Sequence, residues 1–368
     1  MVPCVKLYKK EVLSIYGYSY MDYIIDYYKK DQISQLRECW LKLERGTEMT
    51  WFQTYAWHFM LVSEDCVPDD TDYCKFVYAV VKTTNNELML IAPLWIITKT
   101  FNFINKKGVY FIDDEGFSDY LNFVYYDFCE DAVIALMKDI RKKYGISIYK
   151  LNQLRESSST YHFLTGNTTI KKDMSDPCVS MILPKSDEEF KGILSKNTRQ
   201  NLRTANNRLK KDGISLVYNY DNDNVDIDEC RRIREERLRD RYSKVSRIRK
   251  MKHRLVNRLK YHLPHYLPLY ICKDGHFLTA YHEDELCAYF FYVRDEIHHQ
   301  LLFLTAGTNS KYARYSAGML CLYDFMHYLI EEKEMELVDF TRGDEQYKFY
   351  IGGKLNYNHK VECVFEPS

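Results

Sequence analysis

The stretch QLLFLTAGTNSKYARYSAGMLCLYDFMHYLIEEKEMELVDFTRG, residues 300–343, decides how the chain is read. It opens on an apolar run and crosses a polar turn ending in Ser316, Ala317 and Gly318. About fifteen residues of helical spacing follow, and the apolar run MELVDF (335–340) closes it. Strand, helix and strand in that order make a crossover that sets two strands parallel. The first half repeats the outline. Strand-like runs lead to a predicted helix from about Glu130 to Tyr144 that stops at Gly145, and then to the strand ISIYKLNQL (146–154). A weak internal duplication is therefore expected.

Working outward, CKFVYAVVKT (74–83), ELMLIAPLWII (87–97) and KGVYFID (107–113) read as strands, punctuated by Asn85, Asn86, Asn105 and Gly108. In the second half LPLYICKDG (267–275), HFLTAYHEDE (276–285), LCAYFFYVRDE (286–296) and IHHQLLFLTAG (297–307) form an antiparallel meander. Residues 22–45 carry Ile25, Tyr28, Leu36, Trp40 and Leu43 at helical intervals. SKNTRQNLRTANNRLKKDG (195–213) is a second predicted helix, capped by Ser195 and stopped by Gly213. Leu202, Ala205 and Leu209 share one of its faces; Arg199, Arg203, Asn206 and Lys210 share another. The expected fold is a mixed α/β one, with two domains at 1–175 and 176–368. Each is a mixed, mostly antiparallel sheet flanked by helices.

Composition sets outer bounds. A chain of 368 residues exceeds one ordinary core, and its 46% apolar content supports two. The 33 tyrosines bring hydroxyls that need polar partners, so some should line clefts. Eleven cysteines without a CxxC suggest neither a disulfide framework nor a zinc site, and point to reduced thiols in a cytoplasmic protein. No run reaches the roughly 18 apolar residues of a membrane helix, and the first residues do not resemble a signal peptide. Net charge is zero, yet residues 231–260 hold fourteen Lys or Arg against three acids, a block that attracts polyanions.

The turn before the last long helix carries the first chemical signal. Small residues at Ser316, Ala317 and Gly318 let backbone amides at a helix start approach an anion, and the helix dipole favours one there. The same residues also make an ordinary cap.

SKNTRQNLRTANNRLKKDG, the YSAG helix start and DFTRGDEQYK (339–348), in that order, resemble the CelD/BcsL-like group of the GNAT acyltransferase superfamily. The resemblance is strongest over 180–354 and fainter through SDYLNF (118–123) and KLNQLRESS (150–158). It implies two GNAT-like units in tandem, a splayed pair of central strands, and acyl-CoA with its pyrophosphate at the helix after the fourth core strand. That assigns donor binding to Arg314, Tyr315, Ser316, Ala317 and Gly318. The commonest GNAT phosphate loop is richer in glycine, and here only Gly318 is present.

On this resemblance the end of MELVDF opens onto the cleft where thioester and acceptor meet. Asp339 or Asp344 is the expected proton acceptor, and Arg342 pairs with one of them or holds an anionic substrate. Tyr347 or Lys348 donates to the departing thiolate or contacts the phosphates. His298 and His299 fall on a strand whose alternation turns one inward, and His299 is carried as a candidate base. Arg199 and Arg203 are candidates for a basic rim that holds an anionic acceptor or a nucleotide. Plain salt bridging of Arg342, a core histidine and a solvated helix face stay open as alternatives. The expected activity is direct acetyl transfer from acetyl-CoA, without a metal, to an amine or hydroxyl of a sugar or cell-envelope polysaccharide precursor. Two other readings remain: a FemX-like transferase using aminoacyl-tRNA on the basic block, and a non-catalytic scaffold.

Overall fold

The computed structural model of the chain describes residues 22–100, 106–113, 117–221, 225–243 and 275–366. Within them twelve strands form one sheet. The first six are β1 (Tyr23–Tyr28), β2 (Cys74–Thr83), β3 (Leu88–Ile97), β4 (Gly108–Phe111), β5 (Ile148–Arg155) and β6 (Thr169–Ile182). The rest are β7 (Val217–Asn219), β8 (Gly275–His282), β9 (Glu285–Asp295), β10 (Gln300–Thr308), β11 (Leu337–Arg342) and β12 (Lys354–Val364).

The strands lie in the order β1-β2-β3-β4-β5-β12-β6-β11-β10-β9-β8-β7. Exchange every strand for the one six places away and the order reads the same from the other end. Each half has one parallel pair, β4 with β5 at Val109↔Tyr149 and β10 with β11 from Gln300↔Leu337 to Leu302↔Asp339. All other pairs are antiparallel. The duplicated outline expected from the sequence is thus present in the topology. The last strand, β12, is built into the middle of the sheet, between β5 and β6.

The two central strands are the ones the sequence reading did not recognise. β6 carries Pro177 in TIKKDMSDPCVSMI, and proline ordinarily argues against a central strand. The Pro177 carbonyl accepts from the Gly343 amide at 2.8 Å. The missing N–H therefore falls on the same edge, where β11 has already ended at Arg342. A ladder bond is not lost there.

Nine α-helices lie among the described residues: α1 (Arg37–Leu43), α2 (Tyr55–Ser63), α3 (Glu130–Tyr144), α4 (Ser159–Asn167), α5 (Asp187–Ile193), α6 (Lys196–Lys211), α7 (Ile227–Ser243), α8 (Ala317–Glu332) and α9 (Gln346–Tyr350). α3 ends at Gly145 in the left-handed region (φ 66°), and α6 begins where Ser195 Oγ accepts from the Thr198 amide at 3.0 Å. α5, α6 and α8 pack with Leu301, Phe303, Val338 and Phe340 in one core. A second core joins α1, α2, α3 and β2–β5 with Cys230 and Ile233 of α7 and with Leu302.

Two expectations are corrected, and a third cannot be compared. Residues 22–45 are not one helix: Tyr23–Tyr28 is the edge strand paired with β2, followed by a 3₁₀ turn and then α1. In that segment the apolar spacing fits both periods, and pairing with β2 prevails. His298 and His299 are not on a strand but in the turn between β9 and β10, where Asp295 accepts from the His298 amide at 3.2 Å. The run 267–275 lies, but for Gly275, outside the described residues, as does most of the basic block 231–260.

Candidate active site

The site grows from the place where β10 and β11 part. Leu301, Leu302 and Phe303 are buried, then β10 bulges between Phe303 and Thr305, and Leu304, Thr305 and Ala306 become half-exposed. Pairing with β11 stops at Leu302↔Asp339. Thr341, held at φ 52°, donates its hydroxyl to the Phe303 carbonyl at 2.8 Å and fixes the width of the gap where it begins. A non-glycine residue at positive φ is strained, and its neighbours must hold it there.

At the same end of β10 stands the start of α8. Ser316 occupies the left-handed region (φ 54°) between a short 3₁₀ turn and the helix, and its side chain caps nothing. The first intrahelical bond of the new helix runs from the Leu320 amide to the Ser316 carbonyl, so the amides of Ala317, Gly318 and Met319 point out of the helix end. The first turn holds no acid. Ser316 is exposed, while Ala317 and Gly318 are buried. A Cβ on Gly318 would meet Thr308 Oγ1 at 2.7 Å, so this glycine allows the helix to close on β10. Tyr315 is buried and donates to Asp212 Oδ2 at 2.7 Å; the exposed Arg314 reaches the same carboxylate at 2.7 Å. These bonds tie the corner to the end of α6.

On β11, Asp339 alternates away from Val338 and Phe340, which pack under α8, and is buried on the other face of the sheet. Tyr120 Oη donates to Asp339 Oδ1 at 2.7 Å, the Thr341 amide donates to the same oxygen at 2.7 Å, and Arg155 Nη2 stands 3.8 Å from Oδ2. Burial pushes the Asp339 carboxyl above the ordinary range against the pull of Arg155, Tyr120 and Thr341. Arg342 pairs through Nε with Asp119, and that carboxylate holds its guanidinium charged. With its amide turned as its neighbours require, Gln153 accepts from Arg342 Nη1 at 3.0 Å. Asp119 in turn presents its carbonyl to Asn358 Nδ2 of β12 at 2.5 Å. Asp113, pushed up to about 6 by burial, is held by the Phe117 and Ser118 amides and the Ser118 hydroxyl.

The remaining candidates fall elsewhere or take other work. Lys348 is buried, and its ammonium donates to the carbonyls of Arg342 (2.8 Å) and Gly343 (2.9 Å) while pairing with Glu345 at 3.0 Å. It fastens the turn that follows β11. Tyr347 is half-buried against Phe290 and Phe340, and Asp344 is exposed on the turn. His299 sits before β10, at the strand end opposite Ser316, and its Nδ1 lies 3.1 Å from the Glu334 carbonyl. His298 is half-buried, its ring between Asp295 Oδ2 (2.7 Å) and the Glu44 carbonyl (2.9 Å). Arg199 donates to the carbonyls of Lys191 and Leu194, and Arg203 is exposed on α6, on the α8 side of the sheet away from the Asp339 carboxylate.

Asp339 and Arg342 are thus brought together, and Arg314 to Gly318 form one corner at the same sheet end. Asp113, Asp119, Tyr120, Gln153 and Arg155 were not singled out from the sequence. The signal was there in SDYLNF and in the arginine ending KLNQLR, but nothing in the linear order shows that they meet residues near 340. Among the described residues no group of three His, Cys, Asp or Glu is placed to hold a metal ion, and no helix is long and apolar enough to cross a membrane.

Residues 196–349 match a family described as Acetyltransferase (GNAT) domain. No curated protein matches the chain. Among solved structures, the chain is similar to FemX, with a TM-score of 0.56 at 12% identity over 92% of this chain and 97% of that one. A tandem GNAT protein from the clavulanic acid biosynthesis pathway aligns at TM-score 0.45 and 11% identity, covering 94% and 100%. The C-terminal domain of a putative lysylphosphatidylglycerol synthetase from Agrobacterium fabrum aligns at 0.47 and 12%, covering 79% and 84%.

Proposed function

We propose that this chain, an acyltransferase through its GNAT domain at residues 196–349, moves an acetyl group from acetyl-CoA to an amine or hydroxyl of a sugar or related cell-envelope precursor, as a member of the CelD/BcsL-like group. One observation carries the reading. An uncapped, acid-free helix start and the Asp339–Arg342 segment flank the end at which β10 and β11 separate. The residues fit the donor: three outward amides suit a diphosphate, and the half-exposed 304–306 edge suits the arm that follows. Acetyl-CoA supplies a thioester reactive enough for direct attack.

The chain's residues then bind and move protons. The amides of Ala317, Gly318 and Met319 hold the diphosphate, and the half-exposed 304–306 stretch of β10 aligns the arm. Asp339, its carboxyl raised by burial, takes the acceptor's proton. Tyr347 is the proposed donor to the departing thiolate, since Lys348 is committed to the turn. In this reading residues 1–175 and 176–368 are two GNAT-like units, and the second binds the donor.

Calorimetry with acetyl-CoA and an acetyl-transfer assay on amino sugars test the proposal. Saturable 1:1 binding with transfer is expected. Consumption of aminoacyl-tRNA without acetyl-CoA binding would install the other donor, and neither activity would leave a scaffold.

A further inference from the structure

Two arginines enter one side-chain cluster at the centre of the sheet in a reciprocal arrangement. Arg155 is the last residue of β5 and Arg342 the last of β11. Each is paired with a buried carboxylate from the opposite half: Arg155 with Asp339, Arg342 with Asp119. Asp119 and Tyr120 are consecutive, and Tyr120 both donates to Asp339 and lies with its ring 4.3 Å below the Arg155 guanidinium. The two side chains are therefore held within one small cluster.

Neither guanidinium is spent. The Arg155 group makes no hydrogen bond to the described residues, and Arg342 uses Nε and Nη1 but not Nη2. The carboxylates beneath are almost fully buried, with Asp339 and Asp119 side chains 4% and 9% exposed, whereas those of Arg155 and Arg342 are 24% and 37% exposed. What faces solvent is thus a pair of oriented cations with idle donors. A buried acid behind an arginine fixes its plane before a ligand arrives, which lowers the ordering cost of two-pronged binding to an oxyanion.

We propose that Arg155 and Arg342 form an anion subsite for the acceptor, so that the true acceptor carries a carboxylate or phosphate beside its reactive amine or hydroxyl. Arg342 ends the strand that parts from β10 just beyond Asp339, which places the anion next to the reacting group. The subsite rests on the transferase reading for its biological meaning, but its binding does not depend on acetyl-CoA.

The first test is arginine modification of the intact protein by phenylglyoxal, followed residue by residue by mass spectrometry with inorganic phosphate or acetate present. Saturable protection of Arg155 and Arg342, but not of exposed Arg203, is expected. Equal rates with and without either anion overturn the subsite. The second compares glucosamine, glucosamine 6-phosphate and glucosaminic acid as acceptors, which separates phosphate from carboxylate. One charged acceptor should exceed glucosamine by about 10- to 100-fold in kcat/KM, the range of one or two charge-assisted hydrogen bonds. Arg155→Gln and Arg342→Gln should erase that preference through KM while leaving acetyl-CoA affinity unchanged. Because Arg155→Gln strands a buried carboxylate, Arg155→Gln with Asp339→Asn serves as the folded control, read by anion protection of Arg342. A preference that survives in the variants contradicts the proposal. Failure of acetyl-CoA to bind while phosphate protects both arginines would sink the donor reading and leave the subsite standing.

Discussion

The two parallel strand pairs, β4 with β5 and β10 with β11, occupy equivalent places in the sheet but differ in the helix start that follows each. In the second half the following helix, α8, starts with Ser316, Ala317 and Gly318 and no acid. In the first half α3 starts after Cys129 with Glu130 and Asp131 in its first turn. Acids at a helix start satisfy the dipole and repel a phosphate, so α3 stabilises itself where α8 leaves its end open. β4 is also only four residues long and pairs with β5 at a single position. The segment after it, residues 117–122, instead delivers Asp119 and Tyr120 to the second half. In the proposed reading the first copy does not bind the donor and instead completes the site of the second.

Mutations that break or sharpen this contrast have graded effects. Asp339→Asn removes the proposed base, and kcat should fall by about 10²- to 10⁴-fold with acetyl-CoA binding retained, as steady-state kinetics and calorimetry together show. Ser316→Glu makes the start of α8 resemble that of α3. It should weaken acetyl-CoA binding by about tenfold or more, whereas Glu130→Gln with Asp131→Asn should leave it unchanged.

Tyr120→Phe probes the contribution of the first half to the base. The Tyr120 hydroxyl favours the charged form of Asp339, so its removal raises that carboxyl further. A base acts when deprotonated, and the acid limb of the kcat/KM profile should therefore move to higher pH. An unmoved limb would disconnect Tyr120 from the reaction. Smallest is the effect of glycine replacement. Gly318→Ala places a Cβ 2.7 Å from Thr308 Oγ1 and should cost about 1–3 kcal/mol by overpacking, while Gly145→Ala, in open space at φ 66°, should cost about 1 kcal/mol. Thermal unfolding ranks the two.

Much of the fold was legible because its signals are local. Apolar spacing bounded α3 and α8, Ser195 marked the start of α6, and the strand–helix–strand order of 300–343 announced the parallel pair. What escaped depends on distant partners. β12 enters the sheet beside a strand about two hundred residues earlier in the chain, and β6 tolerates Pro177 only because β11 ends beside it. The site divides likewise. Asp339 and Arg342 stand out in DFTRGDEQYK, but Arg155, Asp119 and Tyr120 gain meaning from a meeting across the sheet centre. Lys348 illustrates the same limit: the linear order does not show that its ammonium is held by the carbonyls of Arg342 and Gly343.

A crystal structure of the chain with CoA tests the central claim most directly. The account predicts the diphosphate on the amides of Ala317, Gly318 and Met319, with the thiol end lying between β10 and β11 toward Asp339. A diphosphate at the start of α3, or a thiol end directed away from Asp339, would contradict it.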